Sequence, residues 1–162
     1  MNRQSVVALI LLACLACAEE ATPTATPGAS VPTSTEEFFA FVLSVDESEM
    51  TFDRAEILTG EEAHDAAVAA GVIGEDEDLP NDYFILNPEE EAQSAALSAG
   101  GTYVLLGFDE GQALEEVPVD RDELIAALQD GEGYYGIVVG ETPMTLVISG
   151  GEVIAATQVY FP

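Results

Sequence analysis

The chain has 162 residues, of which 31 are Asp or Glu and only three are Arg or Lys, for a net charge of −28 at neutral pH. A chain of this length holds one domain. Without a basic footprint the composition argues against nucleic acid as a ligand and against direct adsorption to anionic lipid headgroups. It leaves cations and basic partners as the fitting counterparts, beside the plainer reading that acidity maintains solubility in a salty environment.

Residues 1–17 read as a bacterial leader. Arg3 supplies the positive n-region, and the apolar run Ser5 to Leu12 is too short to span a bilayer. Leu15-Ala16-Cys17 resembles the end of a lipobox, which makes Cys17 the lipid-attachment residue and the first mature residue. Leu11-Leu12-Ala13-Cys14 is the alternative; Cys17 is preferred because it leaves the longer hydrophobic region. This reading places the protein outside the cytoplasm, anchored to the cell membrane through the lipid alone. A plain secretory leader would instead leave it secreted. The two cysteines also match C-x-x-C, a spacing without redox meaning inside a leader. Residues 18–35, rich in Thr, Ala, Pro and Ser, form a tether. Extended at about 3.1 Å per residue, it reaches roughly 50 Å from the anchor. Residues 36–162 make up the single globular domain, long enough to bury roughly two-thirds of its unfolded surface without a disulfide.

The domain opens on Phe38 to Val45, an apolar run on both faces that predicts a strand covered on both sides. Asp46-Glu47-Ser48-Glu49 predicts a hairpin turn, and Met50, Phe52 and Ile57 return the chain to the core. Thr59-Gly60-Glu61-Glu62 fits a capping box. The alanines at 63, 66, 67 and 70 make a narrow apolar stripe at helical spacing, and Gly71 is suited to a left-handed stop.

The acidic stretch Gly74 to Asp82 is the one candidate for a hard cation, with Asp76, Asp78 and Asp82 as ligands. It fails the EF-hand pattern: Pro80 occupies a ligand position, and neither the sixth-position glycine nor the twelfth-position glutamate is present. A solvated acidic loop is the simpler reading. Tyr83 to Leu86 predicts a short buried strand. Asn81, Asp82 and Asn87 bracket it, either as turn caps or as polar groups facing a ligand.

Glu89 to Leu97 is expected to form a short helix stopped by Gly100-Gly101, and Thr102 to Phe108 a strand. Asp120 and Glu123 make a second capping box, ahead of a helix whose apolar face is Leu124, Ile125 and Leu128; Gly131 ends it. Tyr134 to Val139 and Met144 to Ser149 predict strands, and Gly150-Gly151 a two-residue hairpin turn before Glu152 to Phe161. Tyr134, Tyr135, Tyr160 and Phe161 are expected in core and rim packing, with a ligand groove as the sharper alternative.

The segments Leu58 to Ala63, Asn81 to Asn87 and Gly150 to Tyr160 together resemble a family of small secreted or lipid-anchored actinobacterial proteins. That family carries an LTGEEA segment on a helix, a stretch near NDYYIRN, and a closing hairpin close to ENGEVTAIEEQY. Scattered similarity runs from Phe38 to Pro162. Leu86 stands where the family usually has Arg, and residues 88–101 match poorly. The family has no assigned activity, so the resemblance implies fold and location and contributes no catalytic residue.

No motif supplies chemistry. The one histidine, His64, shares a helix face with Glu61, too few ligands for a tight metal site. There is no second histidine to serve as a base, no nucleophile elbow, and without lysine no phosphate-binding loop of the P-loop type. The reading that follows is an α+β domain: an antiparallel sheet of six to seven strands, curved or barrel-like, with two packed helices. Its expected function is that of a non-catalytic, monomeric, cofactor-free module binding a cell-surface protein or glycan. A cation-responsive envelope protein using calcium is the first alternative and a carboxylate-based hydrolase the second.

Overall fold

The computed structural model describes residues 34–88, 91–110 and 112–161. The leader, with Cys14 and Cys17, and nearly all of the tether lie outside the described residues. The last residue assigned to the tether, Thr35, is already in the first strand. Among the described residues no helix is long and apolar enough to cross a membrane.

The architecture is α+β. Its elements in chain order are β1 (Thr35–Val45), β2 (Glu49–Thr59), α1 (Gly60–Ala69), β3 (Tyr83–Leu86), β4 (Ala92–Phe108), β5 (Leu114–Val119), α2 (Arg121–Asp130), β6 (Thr142–Ser149) and β7 (Glu152–Gln158). The strands make one sheet in the order β3-β2-β1-β6-β7-β4-β5, and an additional β2–β4 pairing closes five of them into a ring of hydrogen bonds. All pairings are antiparallel except β4 with β7, which run parallel. The sheet is therefore mixed, where the sequence predicts an antiparallel one.

Local signals explain the β1–β2 hairpin. Asp46 Oδ1 accepts from the backbone N–H groups of Ser48 and Glu49 at 2.9 and 2.8 Å, and the Asp46 N–H donates to the Glu49 carbonyl. Those two donors hold the Asp46 carboxyl below its usual range. At the other end of the chain Gly150 and Gly151 both adopt positive φ, as a two-residue hairpin with the right twist requires.

The main core lies within the ring and under α2. Ala40, Val42, Met50 and Phe52 from the first hairpin meet Ala95, Leu97, Tyr103 and Leu105 from β4, Leu124, Ile125, Ala127 and Leu128 from α2, and Met144, Leu146, Val153 and Ala156 from the last hairpin. Ala63 and Ala67 of α1, fully buried, and Phe39 of β1 are outside this cluster. The two faces of β1 thus serve two different cores. Phe39 meets Phe41 and Phe161 edge-on, and the Phe161 ring lies tilted against Tyr83.

Three expectations are corrected. Of the helix expected over Glu89–Leu97, Glu89 and Glu90 lie outside the described residues, and Ala92 to Leu97 is the start of β4, a strand of 17 residues. Its alanine-rich beginning pairs with β2 at residues 92–96 and then with β7, and these tertiary pairings override helix propensity. Gly100-Gly101 is not a helix stop but part of an irregularity between Leu97 and Thr102 in the pairing with β7. The Tyr103 hydroxyl fills that bend by donating to the Ser98 carbonyl at 2.6 Å, so a Cβ on Gly101 would fall onto it and lie 3.1 Å from the Ile154 carbonyl. Second, Tyr134 to Val139 is not a strand. Gly133, Gly136 and Gly140 all have positive φ, which breaks the extended chain every few residues. Side chains hold this loop instead. The Gln158 amide bridges the Leu106 N–H and the Tyr135 carbonyl, and the Thr142 hydroxyl pairs with both backbone groups of Val138. Third, Thr59 stands at the N-cap of α1 but makes no side-chain cap bond.

Candidate functional site

The site is built by an interruption in a strand. The edge of β2 that faces away from β1 pairs first with β3, Glu56 opposite Leu86, and then with β4, Asp53 opposite Ala92. Between those pairs β2 has only Arg54 and Ala55, while the facing chain has residues 87–91, of which Asn87, Pro88 and Glu91 are described and belong to no strand. Asp53 ties Asn87 and Glu91 down: its Oδ2 accepts from Asn87 Nδ2 at 2.8 Å and its Oδ1 from the Glu91 N–H at 3.0 Å. With 5% of its surface exposed, the Asp53 carboxyl would be costly without those two donors.

Asp53 lies directly across from Phe41 in the β1–β2 register, so its side chain shares the outer face with Phe41 and Leu43. These three, with Asn87, Ala92, Gly140 and Glu141, line a cleft of about 580 Å³. Phe41, Leu43 and Ala92 make its apolar walls, Asp53 and Asn87 its polar floor, and the exposed Glu141 its rim. Asn87 Oδ1 is buried and has no hydrogen-bond partner among the described residues. The cleft therefore offers oxygen acceptors, with one of the two Asn87 amide hydrogens committed to Asp53. It suits a group rich in N–H or O–H donors carried on an apolar stem, and the acidic residues favour a cationic one.

The residues singled out from the sequence are dispersed. Asp76, Asp78 and Asp82 are exposed, and among the described residues no group of three or more His, Cys, Asp or Glu side chains could share a metal ion. The acidic loop folds on itself: Glu77 Oε2 accepts from the Gly74 N–H at 2.7 Å, and the Glu77 N–H donates to the Gly74 carbonyl. His64 docks that loop onto α1, with Nε2 3.1 Å from the Glu77 carbonyl and Nδ1 3.7 Å from the Asp65 carboxylate. No hydrogen bond among the described residues joins His64 to a Ser or Thr hydroxyl, so no nucleophile and base stand together there. Of the three polar residues bracketing β3, Asn81 and Asp82 sit in an exposed turn and only Asn87 enters a cleft.

The aromatic residues divide by position. Tyr134 packs against the main core and donates its hydroxyl to Glu123, a bond that pushes the phenol up to about 12. Phe161 lies between Phe39 and Tyr83. Tyr135 and Tyr160 form an exposed row with Phe108, at ring separations of 5.4 and 5.8 Å. Arg54 of β2 clamps Glu36 of β1 with two bonds of 2.6 and 3.0 Å while its guanidinium lies 3.7 Å over the Phe38 ring. That clamp holds the Glu36 carboxyl below its usual range.

Sequence reasoning missed Asp53. The available signal was a carboxylate placed within a strand whose hairpin partner is apolar on both faces; such a group must find donors or face a cleft. No protein-family model matches the chain, and no curated protein and no solved structure is significantly similar to it.

Proposed function

We propose that this protein is a non-catalytic binding module of the cell envelope. In this reading a lipid on Cys17 holds it at the membrane, a tether carries the domain outward, and the Asp53–Asn87 cleft takes a donor-bearing group of a cell-surface glycan or protein. The observation that carries the reading is the cleft's chemistry: acceptors on its floor and rim beside apolar walls. The leader sequence and the resemblance to small lipid-anchored actinobacterial proteins support the location, and the resemblance brings no activity with it.

The test uses simple amine ligands. Glucosamine and a lysine-containing peptide are titrated calorimetrically against the purified protein, beside their N-acetylated forms. Binding that disappears on acetylation, and that weakens at least tenfold in Asp53→Ala and in Glu141→Gln, supports the reading. Asp53→Ala also leaves the Glu91 N–H and the Asn87 amide without their acceptor, at a cost of about 1–3 kcal/mol in unfolding free energy. Glu141→Gln is therefore the variant that separates ligand recognition from folding. Equal binding of free and acetylated amines would remove the cleft from the proposal.

A further inference from the structure

The sheet has two edge strands, β3 and β5, and they are treated differently. β5 reads Leu-Glu-Glu-Val-Pro-Val: Pro118 removes a backbone donor, and Glu115 and Glu116 are exposed charges. These are the devices by which a strand edge is kept from pairing with another chain. β3 reads Tyr-Phe-Ile-Leu and has neither proline nor charge. It pairs with β2 along one side, and among the described residues its other side pairs with no strand. Alternate residues of such a strand direct their N–H and C=O away from the sheet.

A groove of about 550 Å³ runs along that edge. On the strand side its wall is formed by consecutive residues, Phe84, Ile85 and Leu86, continuing into Asn87 and Pro88. Successive side chains of a strand point to opposite faces. A groove touched by every residue in turn therefore lies along the edge of β3 and not over one face. The opposite wall is α1, through Ala66, Ala69 and Ala70, none of which reaches beyond a methyl group. The result is an open strand edge beside a helix with space between them, the geometry in which an extended peptide adds to a sheet.

We propose that the β3 edge is a strand-addition site for an extended basic peptide. Charge selects this occupant. Glu62 and Asp65, both exposed, stand four residues before the groove-lining Ala66 and Ala69 and so on the same helix face, on a chain of net charge −28. A peptide with apolar residues on one side and Lys or Arg on the other matches both walls. A second copy of this chain would bring the same negative charge to the contact. This site is distinct from the Asp53 cleft; the two share only Asn87, so failure of one does not decide the other.

The experiment titrates the purified protein with a ten-residue peptide of alternating valine and lysine, and with its valine–glutamate counterpart, while following backbone amide exchange. The expected result is binding of the lysine peptide alone, weakened by salt, with slower exchange confined to residues 83–88. Ala69→Trp, which fills the groove at an exposed helix position, is expected to weaken binding at least tenfold with the thermal midpoint unchanged. Ile85→Pro, which blunts the edge, should do the same wherever it folds. Binding that leaves residues 83–88 unprotected, binding that Ala69→Trp does not affect, equal binding of the glutamate peptide, or self-association through β3 in sedimentation would each overturn the proposal.

Discussion

The two helices are equal in length and opposite in how they are held. α2 buries Leu124, Ile125, Ala127 and Leu128 in the main core, and Asp120 caps it by accepting from the Glu123 N–H at 2.8 Å. α1 buries only Ala63 and Ala67, outside that core, and its N-cap threonine makes no cap bond. What α1 does have is a well-formed end. The Gly71 N–H donates to the Val68 carbonyl and the Val72 N–H to the Ala67 carbonyl, with Gly71 in the left-handed region, which together make a Schellman motif. The difference is one of purpose. Large side chains interlock α2 with the ring, whereas alanines let α1 lie close to the sheet and leave space beside β3. The two clefts described above meet at Asn87, the residue that follows β3.

The sharpest way to break this comparison is to cut each helix's contact with the sheet. Leu124→Ala removes a fully buried side chain from the main core and is expected to cost about 2–5 kcal/mol. Ala63→Gly on α1 is expected to cost only about 1 kcal/mol, chiefly helix propensity. Denaturant melts give both values, and equal costs would show that α1 is as integral to the fold as α2. The caps supply the next, smaller contrast. Asp120→Ala should lose about 1 kcal/mol, while Thr59→Ala should change almost nothing, because its hydroxyl accepts no cap bond to lose. A loss at Thr59 as large as that at Asp120 would contradict the described α1 terminus.

The smallest effect is expected at high pH and belongs to the α2 side alone. Tyr134 donates to Glu123 on α2, and the bond favours the neutral phenol, whose pKa lies at about 12 in the folded protein against the ordinary 10. The stabilisation from this bond is complete below pH 10 and is lost as the pH rises through 12. An ultraviolet titration should find two tyrosines ionising late, Tyr134 and the core residue Tyr103, whose phenol burial also pushes up, and Tyr134→Phe should remove one of those late steps. Glu123→Gln should bring the Tyr134 step back toward the ordinary range.

Much of the fold was legible where its causes are local. The Asp46 turn, the Gly71 and Gly131 stops, the Asp120 cap and the Gly150-Gly151 hairpin each depend on a few adjacent residues whose backbone and side-chain chemistry permits little else. The elements that were misread depend on distant partners. Ala92 to Leu97, the described part of the helix expected over Glu89–Leu97, carries a helical composition, and it is a strand because β2 and β7 offer edges for it to pair with. Tyr134 to Val139 carries a strand composition, and it is a loop because glycines turn it back onto Gln158 and Thr142. The site followed the same division. Asn87 could be noticed at the end of a strand; Asp53 was marked only as a carboxylate within a strand, and its partners Asn87 and Glu91 lie 34 and 38 residues away.

By itself the sequence determined the α+β class, the places of the two helices and the hairpins at each end of the domain, because turn, cap and periodicity signals act over fewer than ten residues. Only the tertiary structure decided the ring closure through β2 and β4, the parallel pairing of β4 with β7, and the way Asp53 holds Asn87 and Glu91. Those features join segments 30 to 60 residues apart in the chain, as Asp53 with Asn87 and Ala96 with Glu152 illustrate. Such joining is set by which surfaces fit together in space, and no short window of sequence contains both halves of the fit.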